Sequence, residues 1–78
     1  MNVQGNQRML LEAIDEAIRN EMAAQQEYKT KAELYRYPMF ERLAEFEQEH
    51  EQMLRELRAR VLGRIKARSE TEDQSPAL

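Results

Sequence analysis

The stretch Leu34-Tyr35-Arg36-Tyr37-Pro38 is the one internal break in a chain that otherwise favours helix throughout. A proline disfavours helical geometry at the residue before it and is well tolerated in the first turn of the following helix. On both sides of the break the residues are mostly Ala, Leu, Glu, Gln, Arg and Met, which have high helix propensity. We therefore predict an all-α chain with helices over about residues 7–34 and 39–68 and a turn near 35–38.

The two ends of the chain are predicted to lie outside this hairpin. Residues 1–6 are expected to be a flexible N-terminus. Residues 69–78 are polar, acidic and without periodicity, which is typical of a disordered tail. The organisation is thus one helical domain over 7–68.

Composition limits how such a chain can be stable. It has 78 residues, of which 41% are hydrophobic and 35% charged, and a core of this size leaves little margin. The absence of cysteine excludes disulfides and thiolate metal sites. A partner chain, a metal held by oxygen or nitrogen ligands, or both must supply the missing stability.

Charge and hydropathy exclude other classes of partner. The net charge of -3 argues against a general polyanion binder, so no nucleic acid is expected. The chain has neither a secretion signal at its start nor an apolar run near the roughly 20 residues that span a bilayer. We expect a cytoplasmic protein without a membrane partner.

Apolar periodicity predicts which side chains face inward. Each helix shows alternating steps of four and three residues with flanking apolar positions, a width that suits a bundle of four helices. We therefore expect at least a homodimer of hairpins. The predicted inward series are Leu10, Ile14, Ala17, Glu21, Ala24, Tyr28 and Lys31 or Ala32, followed by Leu43, Glu47, His50, Leu54, Leu57 and Val61.

Three members of these series are ionisable, namely Glu21, Glu47 and His50. A buried charge is costly unless it is paired or binds a metal. Glu47 and His50 are three residues apart, about one turn along the same helix. The midpoint between their residue numbers and that of Glu21 falls beside the hairpin loop, so all three lie at one height in an antiparallel hairpin. A dimer would gather four carboxylates and two imidazoles, the ligand set of di-iron and di-manganese bundles. Alternatively, the three residues set helix register in an oligomer that binds no metal.

Two motifs resemble a known family. Glu21-Met-Ala-Ala-Gln-Gln-Glu-Tyr28 resembles the Glu-x6-Tyr signature of rubrerythrins and encapsulated ferritins. The run from Leu43 to Leu54 is similar to their Leu-Ala-x-x-Glu-x-x-His-x-x-Met-Leu pattern. The resemblance covers about residues 10–57. A cysteine-free half-bundle is closest to the two-helix encapsulated ferritins of the ferritin-like di-iron carboxylate superfamily.

The resemblance implies an antiparallel hairpin that dimerises into a ferritin-like four-helix bundle. It implies a ferroxidase that oxidises Fe(II) to Fe(III) at a di-iron centre between subunits, for iron storage or detoxification, with Mn, Zn or Ca as substitute ions. Glu21 and His50 would each bind one metal and Glu47 would bridge the two. Tyr28 would hydrogen-bond a ligand or donate an electron. An encapsulin shell, forming a nanocompartment in the cytoplasm, is the implied further partner.

Other interpretations remain open. The chain could be a rubrerythrin-like peroxide reductase that uses an external electron donor. Tyr28 could be a core packing residue, and Tyr35 and Tyr37 are expected to pack at the turn. Among the acidic neighbours of the site, Glu51 is the best candidate for an additional ligand. The basic residues from 55 to 68 are expected to complement the dipole of the second helix and pair with glutamates.

Overall fold

The chain folds as a hairpin of two helices. A computed structural model describes residues 3–74, with side chains described for residues 5–68. Helix α1 (Val3–Tyr35) and helix α2 (Pro38–Gln74) run antiparallel and are packed against each other along the molecule. No strand occurs in this range, which confirms the prediction of an all-helical hairpin. Within the same range, neither helix combines the length and apolar character that a membrane crossing needs.

Both helices are longer than the sequence pattern predicted. Helix α1 begins at Val3, so the predicted flexible segment 1–6 is helical from its third residue. Helix α2 continues to Gln74, so most of the predicted disordered tail 69–78 is helical as well. No glycine or proline lies between residues 64 and 75, and extending an existing helix costs far less than starting one. Residues 1–2 and 75–78 lie outside the described part.

The turn consists of Arg36 and Tyr37, as the position of Pro38 predicted. Arg36 adopts a positive φ of 52°, the left-handed conformation common at helix C-termini. Its backbone N–H donates to the carbonyl of Ala32 at 2.9 Å. Pro38 then opens α2, where no backbone N–H is required. Helix α1 therefore ends in an αL cap that arginine, rather than glycine, provides.

The core between the helices is small. Ile14, Ile18 and Val61 form its buried centre, and Leu54 is one of the half-buried side chains packed on it. Nearer the turn the buried residues include two with small side chains, Ala32 and Ala44. A core of this size supports the expectation that one hairpin alone is marginally stable.

The predicted inward series was partly wrong. Ile14, Glu21 and Tyr28 lie at the seam, and of the two alternatives Lys31 and Ala32 it is Ala32 that is buried. However, Ile18 and Gln25 are buried where Ala17 and Ala24 were predicted. Leu10 and Leu57 are 46% and 38% exposed. At every second step of the predicted series, the buried residue of α1 is the one that follows the predicted residue. At the first of these steps, burying Ile18 removes more apolar surface from water than burying Ala17 would.

The two sides of the hairpin differ in polarity, and one is closed by ionic contacts. Arg58 Nε donates to Asp15 Oδ1 at 2.6 Å, and Gln25 Nε2 donates to Glu51 Oε1 at 2.7 Å. Arg55 Nε donates to the second oxygen of Glu51 at 2.6 Å. We call this side, formed by Asp15, Met22, Gln25, Glu51, Arg55 and Arg58, the ion-pair face.

The other side is apolar and exposed. Along α2 it follows a second series of four- and three-residue steps, and along α1 it carries one leucine and two alanines. Apart from the half-buried Leu43, its large apolar residues are substantially exposed. We call this side the open face; it consists of Leu10, Ala17 and Ala24 on α1 with Met39, Leu43, Phe46, His50, Met53 and Leu57 on α2.

Candidate metal centre

Glu21, Glu47 and His50 meet at mid-height of the hairpin. Glu21 projects from α1, and Glu47 and His50 project from adjacent turns of α2. One ligand atom from each of the three lies within 4.8 Å of the other two. The three side chains are thus close together, as their distances along the chain from the hairpin loop predicted.

The distances within this cluster leave room for an ion. His50 Nδ1 lies 3.7 Å from Glu21 Oε2 and 3.9 Å from Glu47 Oε2. Both separations exceed a hydrogen bond. Ligand atoms that share one cation at about 2.0–2.3 Å lie about 3–4 Å from each other. The distances from His50 to the two carboxylates are thus those expected of ligand atoms around one cation.

The environment of Glu21 is also one that a bound cation would stabilise. Glu21 Oε2 is buried and has no hydrogen-bond partner among the described residues. The pKa of Glu21 is raised above its ordinary value, chiefly because a proton can be shared with the carboxylate of Glu47. Burial and the negative charge of Glu47 raise this pKa further, and His50 opposes the change. Two carboxylates that share a site in this way are stabilised by a cation between them.

The cluster opens into a groove on the open face. The groove has a volume of about 470 Å³, and its lining includes the apolar residues Met53, Leu54 and Leu57 and the charged residues Glu56 and Arg60. Glu21 and His50 also line the groove. The side chain of His50 is 53% exposed, whereas those of the two glutamates are 23% exposed. A ligand or a second protein surface in this groove would therefore touch the cluster directly.

The structure does not bring Tyr28 to the cluster. Tyr28 lies seven residues from Glu21, about 10 Å along the helix axis towards the turn. Its ring is stacked on Phe40 with centroids 6.5 Å apart, and the Lys31 ammonium lies 6.0 Å from the ring centre. The interpretation of Tyr28 as a packing residue fits these contacts.

Glu51 is not an additional ligand in this structure. Its carboxylate lies on the ion-pair face, where it accepts from Gln25 and Arg55. The hydrogen bond from Gln25, and after it the one from Arg55, lower the pKa of Glu51 below its ordinary value. The other acidic neighbours, Glu45 and Glu49, are exposed.

Sequence reasoning missed the role of Gln25. It is buried at the seam and anchors Glu51 from the opposite helix. A signal was present, because Gln25 occupies a heptad-related position with Ile18 and Ala32. The bond keeps the Glu51 carboxylate away from the Glu21 side of the hairpin.

The ligand set restricts the ions that could bind. Two carboxylates and one imidazole suit divalent iron, manganese or zinc, and the site contains no soft sulfur ligand of the thiolate type. Three ligands also leave coordination positions open for further donors.

Comparisons with protein-family models, curated proteins and solved structures found no match for the chain. The Glu21, Glu47 and His50 side chains are therefore the main indication of what the protein does.

Proposed function

We propose that the protein is an iron-binding ferroxidase whose metal centre forms between two copies of the hairpin. The observation that supports this most directly is the Glu21–Glu47–His50 cluster, in which Glu21 Oε2 is buried without a hydrogen-bond partner among the described residues. A cation at this position would satisfy that oxygen and offset the repulsion between the two carboxylates.

A second copy is the partner that completes the centre. One hairpin provides two carboxylates and one imidazole, and a two-fold related hairpin brings the same set to the same height. The six side chains are then the inventory of a di-iron carboxylate bundle. Docking through the open face would also bury Phe46 and Leu57, which a monomer leaves exposed. The assembly we propose is a ferritin-like four-helix bundle.

Each residue of the cluster has a distinct part in this proposal. Glu21 and His50 would each hold one ion, and Glu47, one helical turn from His50, would bridge the pair. When bound, iron would supply the electrons that reduce dioxygen or peroxide. In the proposed assembly, Leu54 and Leu57, which line the groove beside Glu21 and His50, would limit the access of bulk water to the site.

The biological setting follows from the family resemblance alone. Oxidation of Fe(II) to Fe(III) would serve iron storage or detoxification. Mn, Zn or Ca would be the substitute ions, and an encapsulin shell would be the further partner. Tyr28, held by Phe40 about two helical turns from Glu21, would act as an electron donor near the site.

The test combines metal analysis with iron oxidation. Protein purified without chelator should contain iron or a substitute metal, and wild type should oxidise Fe(II) in the presence of oxygen faster than buffer does. Glu47→Ala should lose this activity. Glu49→Ala is the matched control, because Glu49 is on the same helix and exposed. Absence of bound metal together with oxidation at the buffer rate would show that the cluster sets helix register only.

A further inference from the structure

Methionine is the sulfur-containing residue of this chain, which has five methionines and no cysteine. Two of them, Met39 and Met53, lie on the open face and are 48% and 63% exposed. Met53 also lines the groove that contains Glu21 and His50. Their thioethers are therefore accessible in the separate hairpin and belong to the surface that a partner would cover.

Oxidation changes the character of such a surface. A thioether packs as an apolar group, whereas its sulfoxide is polar and must be hydrogen-bonded when it is buried. Met39 and Met53 alternate along α2 with Leu43, Phe46 and Leu57. Two sulfoxides would thus interrupt the apolar stripe at two of its positions.

We propose that Met39 and Met53 are modification sites at which peroxide prevents two copies of the chain from docking through the open face. The sulfur of each methionine attacks one peroxide oxygen, the O–O bond breaks, an S–O bond forms and water leaves. The sulfur loses two electrons and the peroxide gains them. This inference depends on the second copy in the proposed function, but it requires no bound metal.

The occupant of the open face is a second copy for two reasons. The cluster would supply half of the ligand set proposed above, and an identical chain would supply the matching half. The face is also apolar on both helices, with Ala17 and Ala24 on α1 and Phe46 and Met53 on α2. Two copies docked through it would cover like with like, apolar surface against apolar surface.

Met22 provides an internal control. It is 49% exposed, close to the exposure of Met39, so peroxide reaches it as well. However, Met22 lies on the ion-pair face, where its sulfur accepts from Arg55 Nη2 at 3.6 Å. Oxidation at Met22 should leave the open face unchanged.

The experiment treats the full chain with hydrogen peroxide in the presence of a chelator. Sulfoxides are assigned to individual methionines by peptide mass spectrometry, and oligomer size is measured by light scattering across protein concentrations. We expect self-association to weaken about tenfold for each sulfoxide that would be buried. Treatment with methionine sulfoxide reductases should restore assembly.

Two variants separate this effect from general damage. Measured against its own assembly before treatment, the double variant Met39→Leu/Met53→Leu should keep its oligomers after peroxide, whereas Met22→Leu should dissociate as wild type does. Unchanged oligomers in wild type carrying sulfoxide at both positions would overturn the proposal. So would chelated wild type that is monomeric at every concentration. Assembly without iron oxidation would instead overturn only the ferroxidase proposal.

Discussion

His50 Nδ1 lies 3.7 Å from Glu21 Oε2 on the opposite helix, too far for a hydrogen bond and close enough for both atoms to bind one cation. The same Glu21 oxygen is buried and has no other partner among the described residues. In metal-free protein this arrangement costs stability, because two carboxylates face each other at the seam. Replacing Glu21 should therefore increase the stability of the metal-free protein and decrease its affinity for metal.

We expect Glu21→Gln to stabilise the metal-free protein by about 1 kcal/mol, since a neutral amide removes the repulsion and can donate to Glu47. The same variant should lose most of its affinity for Fe(II) or Zn(II). Thermal unfolding with chelator and calorimetric metal titration measure the two effects. Glu49→Gln is the exposed control; a lower melting temperature for Glu21→Gln than for this control would contradict the assignment.

Metal should promote assembly. At a concentration where chelated wild type is a mixture of monomer and oligomer, added metal should shift light scattering towards the oligomer, because the ions link the two copies. His50→Ala should not respond, whereas Gln48→Ala, with an exposed side chain on the same helix, should respond normally. Equal distributions of wild type with and without metal would rule out this coupling.

The contacts of Glu51 should make stability depend on pH. Its folded-state pKa is lowered by the amide of Gln25 and then by Arg55, relative to a usual value of 4.5. The stabilisation is therefore complete above pH 4.5 and is lost as pH falls through the lower folded-state pKa. Denaturant unfolding should show a smaller acid-induced loss for Glu51→Gln than for wild type. An equal loss in both proteins would mean that Glu51 does not contribute.

The turn should be improved by a single substitution. Arg36 has a φ of 52°, a conformation that glycine adopts without steric cost. Arg36→Gly should raise the free energy of unfolding by about 0.5–1 kcal/mol after allowance for the greater freedom of glycine in the unfolded chain. Arg36→Ala, which keeps the strain, should show no gain. Urea unfolding of the three proteins provides the measurement.

Gly63 offers a second stabilising change. It lies within α2, and a Cβ built there meets no atom within 4 Å. Gly63→Ala should therefore increase stability by up to about 1 kcal/mol, because alanine has the higher helix propensity. Circular dichroism during thermal unfolding tests this. A loss of stability would reveal that another molecule packs closely against α2 at this point.

The sequence was sufficient to predict the elements that depend on local chemistry and counting. Pro38 located the turn, and the common height of Glu21, Glu47 and His50 followed from their distances along the chain to that turn. Both inferences use only helix geometry and the conformational limits that proline imposes.

The rotation of the seam could not be obtained in this way. Neighbouring residues such as Ala17 and Ile18 differ by about 100° around the helix, and both are apolar, so periodicity alone does not choose between them. The choice was made by tertiary contacts, including the bond from Gln25 to Glu51. A polar residue at a seam position shows that a partner is needed but does not identify it.

The predicted ends of the helices were wrong for a related reason. Low hydrophobicity after residue 68 was interpreted as disorder, yet the helix persists to Gln74. Glutamate and glutamine are compatible with helix as long as no residue interrupts it. Amphipathic periodicity predicts where a helix packs, and it does not by itself locate the last helical residue.

The aromatic contacts at the turn determine which part of the molecule can be observed by fluorescence. All three tyrosines of this tryptophan-free chain have ring contacts with Phe40, at centroid distances of 6.0 to 6.5 Å. Tyrosine emission and the near-ultraviolet dichroism of the tyrosines therefore originate at one end of the hairpin. Opening of the distant chain termini would be invisible to these signals, so a probe at that end is needed to establish whether unfolding is a single event.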